Sequence, residues 1–397
     1  MTKRKVYLDH SATTYVRKEV VEAMLPYFSE IYGNASSFHQ YGQESKKALT
    51  KSRETFAKLI NAEYDDEIIF TSCGTESDNI AIKGVLTANT GNHIITTQIE
   101  HHAILYTCQY LEKKGYKVDY LPTDSKGRVS PEEIKKKITD DTVIISIMHA
   151  NNEIGTIEPI EEIGQMLKEI NKNRKKTVLF HTDAVQTAGK IIIDVQKLGV
   201  DLLSVSAHKF YGPKGVGALY VKKGTKIEPL FQGGHHENNL KPGTENIAGI
   251  VGMTKALQLA NDEITDENKK ISLLRNKLKE GILSKIPEIV INTDITGSVS
   301  NVLSVSFNYI EGESLLLMLD MEGIAVSTGS ACASGSTEPS HVLKAIGASP
   351  LASQGTIRFS LGKQNTKEDI DYVLEVLPGI VNKVRQMSPV WNSKFES

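Results

Sequence analysis

Lys209 follows a serine and a histidine at the end of a short apolar run, 202–205. An amine in that setting suits a Schiff base with an anionic cofactor. Two other apolar runs end in the same way. The run 143–148 leads into His149-Ala150-Asn151-Asn152, and 178–180 leads into His181-Thr182-Asp183-Ala184-Val185-Gln186. One such cluster serves equally well as a turn or a helix cap. Three in succession, presenting Asp, Gln, Ser, His and Lys, point to a site. A fourth run, 67–73, is followed by Gly74-Thr75 and a helix that begins near Glu76. Backbone N–H groups at a helix start, with a threonine hydroxyl beside them, suit a phosphate.

These clusters need elements to bring them together. Strands are expected at 67–71, 93–97, 143–148, 177–180, 202–205 and 216–221, separated by helix-like stretches such as 160–170. In that stretch Ile160, Ile163, Leu167 and Ile170 share one face. Strands alternating with helices predict a mostly parallel α/β sheet, whose ligands lie beyond the carboxyl ends of the strands. After residue 260 the texture changes. A charged amphipathic helix at about 267–285 leads to a strand at 301–307, another at 356–361 and a closing helix at 366–383. The 397 residues exceed one typical domain, which predicts a large domain and a smaller α+β one. Lys and Arg total 46 against 48 Asp and Glu, so the balance offers no footprint for nucleic acid or an anionic membrane.

Several motifs together are similar to those of the NifS/IscS-type cysteine desulfurases of the class V aminotransferase superfamily. They are Ser206-Ala207-His208-Lys209 with Gly212-Pro213-Lys214-Gly215, Tyr7-Leu8-Asp9-His10-Ser11-Ala12-Thr13-Thr14, Gly33-Asn34-Ala35-Ser36-Ser37, Gly74-Thr75-Glu76-Ser77-Asp78-Asn79, Asn151-Asn152-Glu153-Ile154-Gly155 and Ser330-Ala331-Cys332. The resemblance implies the fold type I architecture of pyridoxal-phosphate (PLP) enzymes. A large domain, 16–257, would carry a mostly parallel sheet of the seven-stranded type, and 1–15 with 258–397 would form the small domain bearing the cysteine loop. It also implies the roles. Lys209 would hold PLP and later move the substrate α-proton. Asp183 would pair with the pyridinium nitrogen, His101 would stack on the ring, and Asn152 and Gln186 would bond its phenolic oxygen. Gly74, Thr75, Ser206 and His208 would hold the phosphate, and Thr244 would complete it from the second subunit of a homodimer. Arg358 would grip the substrate carboxylate as a planar fork, with Asn34 nearby. Leu240-Lys241-Pro242-Gly243-Thr244 departs from the family, which usually carries Arg at the position of Lys241. The segment 387–397 is shorter than the tail by which some members dock an iron–sulfur scaffold.

Cys332 lies among small polar residues, 327–336, which read as an exposed loop rather than a core strand. A thiol there suits a carrier that takes sulfur at the cofactor and delivers it elsewhere. Cys73 is expected beside the phosphate turn and Cys108 in the core. The pairs His101-His102 and His235-His236 lack helical i, i+4 ligand spacing, so no metal is expected. Three scattered cysteines, and no apolar run near the roughly 18 residues of a membrane span, place the protein in the reducing cytoplasm. The expected activity converts L-cysteine to alanine with a Cys332 persulfide, for delivery to an iron–sulfur scaffold or thiolation protein. The alternatives are a selenocysteine lyase or related PLP-dependent cysteine-type lyase, and a non-catalytic sulfur carrier or regulator.

Overall fold

In the computed structural model, residues 3–328, 340–389 and 391 are described. Strand β1 (Val6–Tyr7) opens the chain. A large sheet then follows from β2 (Ile68–Thr71), β3 (His93–Thr97), β4 (Lys117–Leu121), β5 (Thr142–Ser146), β6 (Leu179–Asp183), β7 (Leu202–Ser206) and β8 (Gly217–Val221). Its seven strands run in the order β2-β8-β7-β6-β5-β3-β4. Only β8 is antiparallel to its neighbours. The remaining pairs are parallel. Six of the seven strands are buried along their whole length. Helices cover both faces, so Ile, Val and Leu fill both sets of alternating positions. Ile95, Ile145, Leu203 and Val205 face one core cluster, while Ile94, Ile144 and Leu202 face another on the opposite side.

β4 is the strand that the apolar pattern does not announce. It reads Lys-Val-Asp-Tyr-Leu and is mostly half-exposed, as suits the edge of a sheet. The helix expected at 267–285 in fact begins twenty residues earlier, at Ile247. Asn246 caps it by accepting from the Gly249 N–H at 3.0 Å. Its first half packs Ile250, Met253, Ala256 and Leu257 into the core of the large sheet. Its second half packs Ile271, Leu274, Leu278 and Ile282 into a separate core. One rigid element therefore joins the two.

That second core lies under β9 (Ile289–Ile291), β10 (Val302–Phe307), β11 (Ile324–Ala325), β12 (Ser327–Thr328) and β13 (Thr356–Ser360), with the helix Lys367–Met387. The antiparallel order is β12-β13-β10-β9, and β1 pairs in parallel with β11. In β13 the two-residue period sends Ile357 and Phe359 into the core, each worth about 2 kcal/mol in burial. Arg358 therefore points the other way, toward the large sheet.

Candidate active site

The carboxyl ends of β2, β3, β5, β6 and β7 open on a cleft of about 270 Å³. Ten of the residues named from the sequence line it, and each reaches it for a local reason. Asp183 is the last residue of β6 and Ser206 the last of β7. Gln186 lies in the turn after β6 and Asn152 in the turn after β5; both line the cleft. Lys209 and His208 lie on the short turn that leaves β7. The lysine amine donates to the carbonyls of Ser11 and Ala12, at 2.6 and 2.8 Å. The N-terminal segment is pinned there because Thr14 bonds the His208 carbonyl through both its N–H and its hydroxyl. Gln186 donates to the same Ser11 carbonyl at 3.1 Å.

Gly74 starts a helix whose preceding residue, Cys73, is extended and makes no side-chain cap. The first-turn N–H groups are thus left for an outside acceptor. A side chain at position 74 would place its Cβ 2.8 Å from Val185 Cγ2, so only glycine keeps this corner open. Thr75 and Cys73 stand beside it in the cleft. Across the cleft, His101 caps the helix His102–Glu112, its Nδ1 accepting from the Ala103 N–H at 3.1 Å. Burial, with Lys209 nearby, holds its pKa down to about 4, so the ring is neutral at pH 7. His208 is held down to about 4 in the same way, its Nδ1 3.1 Å from the Thr13 hydroxyl.

Asp183 accepts from the Val185 N–H at 2.9 Å, yet burial raises its pKa above the ordinary carboxyl value. Asp78 lies close by, almost fully buried, and is raised by burial and by the charge of Asp183. A carboxyl in this condition gains from a cation placed against it. At the small-sheet side, Arg358 is 3% exposed and forms an ion pair with Asp9 at 2.9 Å. Its other terminal nitrogen donates to the Asn152 carbonyl at 2.8 Å.

Two expected residues do not line this cleft, and a third cannot be placed against it. Asn34 is exposed and closes its own turn, accepting from the Ser36 N–H at 2.8 Å. Thr244 is exposed on the same chain. Cys332 lies outside the described residues. Cys108 is fully buried in the core, its thiol pushed up to about 12. The pattern of residue types passed over Ser11 and Ala12, which act through backbone carbonyls, as well as Met148 and Val185. Asp78 was within reach of the sequence, since it follows Gly74 by one helical turn, onto the same face.

The family described as aminotransferase class V matches residues 6–373. The chain is 56% identical to cysteine desulfurase IscS of Clostridium botulinum over 99% of its length and 98% of that protein. It is 46% identical to cysteine desulfurase NifS of Azotobacter vinelandii, over 98% and 95%. A solved NifS-like protein superposes with a TM-score of 0.89 at 44% identity, covering 96% of this chain and all of the other. By sequence along nearly its whole length, and by fold, the chain belongs to the class V aminotransferases and, within them, to the cysteine desulfurases of the NifS and IscS type.

Proposed function

We propose that the protein removes sulfur from L-cysteine, yielding alanine, with PLP bound in the cleft and Cys332 as sulfur acceptor. Membership of the family implies PLP, and the residues present fit it. The observation that carries the reading is one cleft holding a half-buried amine, a raised buried carboxyl and an uncapped helix start. Lys209 would bind the cofactor carbonyl, Asp183 would face its ring nitrogen, and the Gly74-Thr75 turn with Ser206 and His208 would receive its phosphate. His101 would lie on the ring, with Asn152 and Gln186 at its phenolic oxygen. Bound PLP supplies an electron sink for charge developing at the substrate α-carbon.

The chain's own groups would do the rest. Arg358 retains N–H groups beyond those given to Asp9 and Asn152, and these would hold the substrate carboxylate. Lys209, once displaced by the substrate amine, would take the α-proton and return it later. The Cys332 thiolate would attack the substrate sulfur: the S–S bond forms as the carbon–sulfur bond breaks, and its electrons return to the carbon skeleton that becomes alanine. The persulfide would then pass to an acceptor, an iron–sulfur scaffold or a thiolation protein. The same reading divides the chain into 16–257 and 1–15 with 258–397, pairs two chains so that Thr244 reaches the partner's phosphate, and places the protein in the cytoplasm. In its support, no helix among the described residues is long and apolar enough to cross a membrane.

The test measures alanine and sulfide released from L-cysteine by PLP-loaded protein with a thiol reductant, for wild type and Cys332→Ala. Equal yields that vanish in the variant are expected. Retained activity in the variant, or pyruvate and ammonia in place of alanine, would make the protein a lyase of the selenocysteine-lyase kind.

A further inference from the structure

One edge of the large sheet is closed by side chains instead of a strand. β2 ends the strand order and pairs only with β8, so the backbone groups along its other side need partners from elsewhere. The Phe70 N–H donates to Glu237 Oε2 at 2.7 Å, and the Ile68 carbonyl accepts from Arg53 of the helix Gln40–Leu59. Just before the strand, the Asp66 carbonyl accepts from the Asn238 amide at 2.7 Å. Arg53 and Glu237 also hold each other as a fork, Nη1 to Oε2 at 2.8 Å and Nη2 to Oε1 at 2.6 Å. The Glu237 side chain is 2% exposed. This clamp holds a backbone that side chains disfavour. Glu237, Asn238 and Asn239 have φ of +47°, +55° and +66°, three successive residues in the left-handed region. Such strain persists where its surroundings over-determine it, and it gathers at functional sites. The chain then buries Leu240 and closes on itself, since a Cβ at Gly233 would stand 2.6 Å from Pro242 Cβ. Gly243 and Thr244 form an exposed tip, with the Gly243 N–H donating to His236 Nδ1 at 3.3 Å.

We propose that Arg53 and Glu237 are positioning residues that fix the strained turn to β2 and so set the reach of Thr244 toward the phosphate site of a second copy of this chain. This rests on the reading that Thr244 completes the partner's phosphate site. β2 then carries both halves of that site. Its carboxyl end runs into Ser72-Cys73-Gly74-Thr75, where the helix start is assigned to the phosphate bound by its own chain. Its free edge holds the turn that leads to Thr244. A twofold axis that brings one tip to the other chain's helix start brings the second tip to the first. The described lining of the chain's own cleft includes no residue of 237–244. A slip of the turn along β2 would therefore displace Thr244 at the partner's site and leave the chain's own cleft unchanged. The planar fork suits this task, because it fixes orientation as well as distance.

The test reads PLP affinity, not turnover. PLP-free full-length protein is titrated with PLP and followed by the yellow Schiff-base absorbance, in homodimers and in mixed dimers isolated through two affinity tags. Glu237→Gln should weaken PLP binding about tenfold, the scale of one charge-assisted hydrogen bond, and Thr244→Ala should do the same. The mixed dimer pairs a Glu237→Gln chain with a Lys209→Ala chain. Its one intact lysine then lies in the chain with the altered turn, and its one intact turn lies in the other chain. That site should bind PLP as tightly as wild type, because its tip comes from the partner. A turn that served only the stability of its own chain would leave the site as weak as in the Glu237→Gln homodimer, and this result would overturn the proposal. Arg53→Lys keeps a charge beside Glu237 without the fork, and it answers the same question should Glu237→Gln fail to fold. Its homodimer should bind PLP severalfold more weakly, with affinity restored in the mixed dimer. Wild-type affinity in a folded homodimer of either variant would also overturn the proposal. Wild-type affinity in Thr244→Ala, or no mixed dimer recovered, would instead remove the reading of Thr244, and the proposal with it.

Discussion

Lys209 and Arg358 are each held by partners far away in sequence, and that is what makes them informative to change. On the proposed roles, Lys209→Ala removes both the covalent hold on PLP and the proton carrier. Its PLP-loaded form should lose the yellow Schiff-base absorbance, and turnover should fall by roughly 10²–10⁴-fold, the range for a positioned general base. A variant that stays yellow and active would remove Lys209 from its assigned role. Arg358→Lys keeps one charge but cannot span Asp9, Asn152 and a substrate carboxylate together. About 1.5–3 kcal/mol attaches to a charged hydrogen bond of this kind, so kcat/KM for L-cysteine should drop tenfold or more, chiefly through KM. Steady-state kinetics separates the two parameters. An effect confined to kcat would point to a disturbed Asn152 turn instead.

Two glycines show how elements are set against one another. At the helix start, Gly74→Ala pushes its Cβ against Val185 Cγ2 and so narrows the corner assigned to the phosphate. PLP affinity should weaken about tenfold, or about 1.4 kcal/mol, while the melting temperature of the PLP-free protein moves little. A fluorescence titration with PLP and a thermal melt give the two numbers. Gly164→Ala should do the reverse. It lies on the helix Ile160–Asn171, where a Cβ would stand 2.1 Å from the Leu198 carbonyl at the end of the helix Val195–Leu198. Stability should fall by roughly 1–3 kcal/mol, as for other overpacked contacts, with PLP affinity unchanged in the folded fraction. Denaturant unfolding measures the loss, and a neutral result would show that the two helices can separate at no cost.

For the whole molecule, the two cores share one helix and enclose several ionisable groups in their uncharged forms. Burial pushes Glu100 and Glu158 up to about 8 and Glu153 up to about 7. His10 and His149 are pushed down to about 4 by the same cause. The signs are opposite in their effect on stability. Between the ordinary carboxyl value and about pH 8, the unfolded chain releases protons that the folded one retains, so rising pH destabilises. Between the ordinary histidine value and about pH 4, the unfolded chain binds protons that the folded one refuses, so falling pH destabilises. Each buried carboxyl contributes a slope of up to about 1.4 kcal/mol per pH unit. In Glu158→Gln the loss of stability between pH 5 and 8 should be shallower than in wild type, read from denaturation curves of PLP-free protein. Equal slopes would mean that Glu158 is ionised in the fold.

The sequence by itself determined the type of the main elements and the kinds of side chain available to the cleft. Buried parallel strands are largely apolar on both faces, so β3, β5 and β7 stand out by adjacent Ile, Val or Leu residues, and the polar groups that follow them are conspicuous. β4 was hidden because an edge strand carries Lys and Asp. The early turns of the long helix were hidden because Gly249 and Gly252 weaken the helical signal; a Cβ at 252 would lie 2.5 Å from Met24 Sδ, a constraint set by packing. Tertiary structure alone decided that Ser11 and Ala12 present carbonyls to Lys209, since every residue has a carbonyl and only the path of the chain aims it. It alone brought Asp9 to Arg358 across 349 positions, and Glu237 to Arg53 across 184. A sequence states which groups exist; their distances, and hence their charges, follow from burial and neighbours that only the fold supplies.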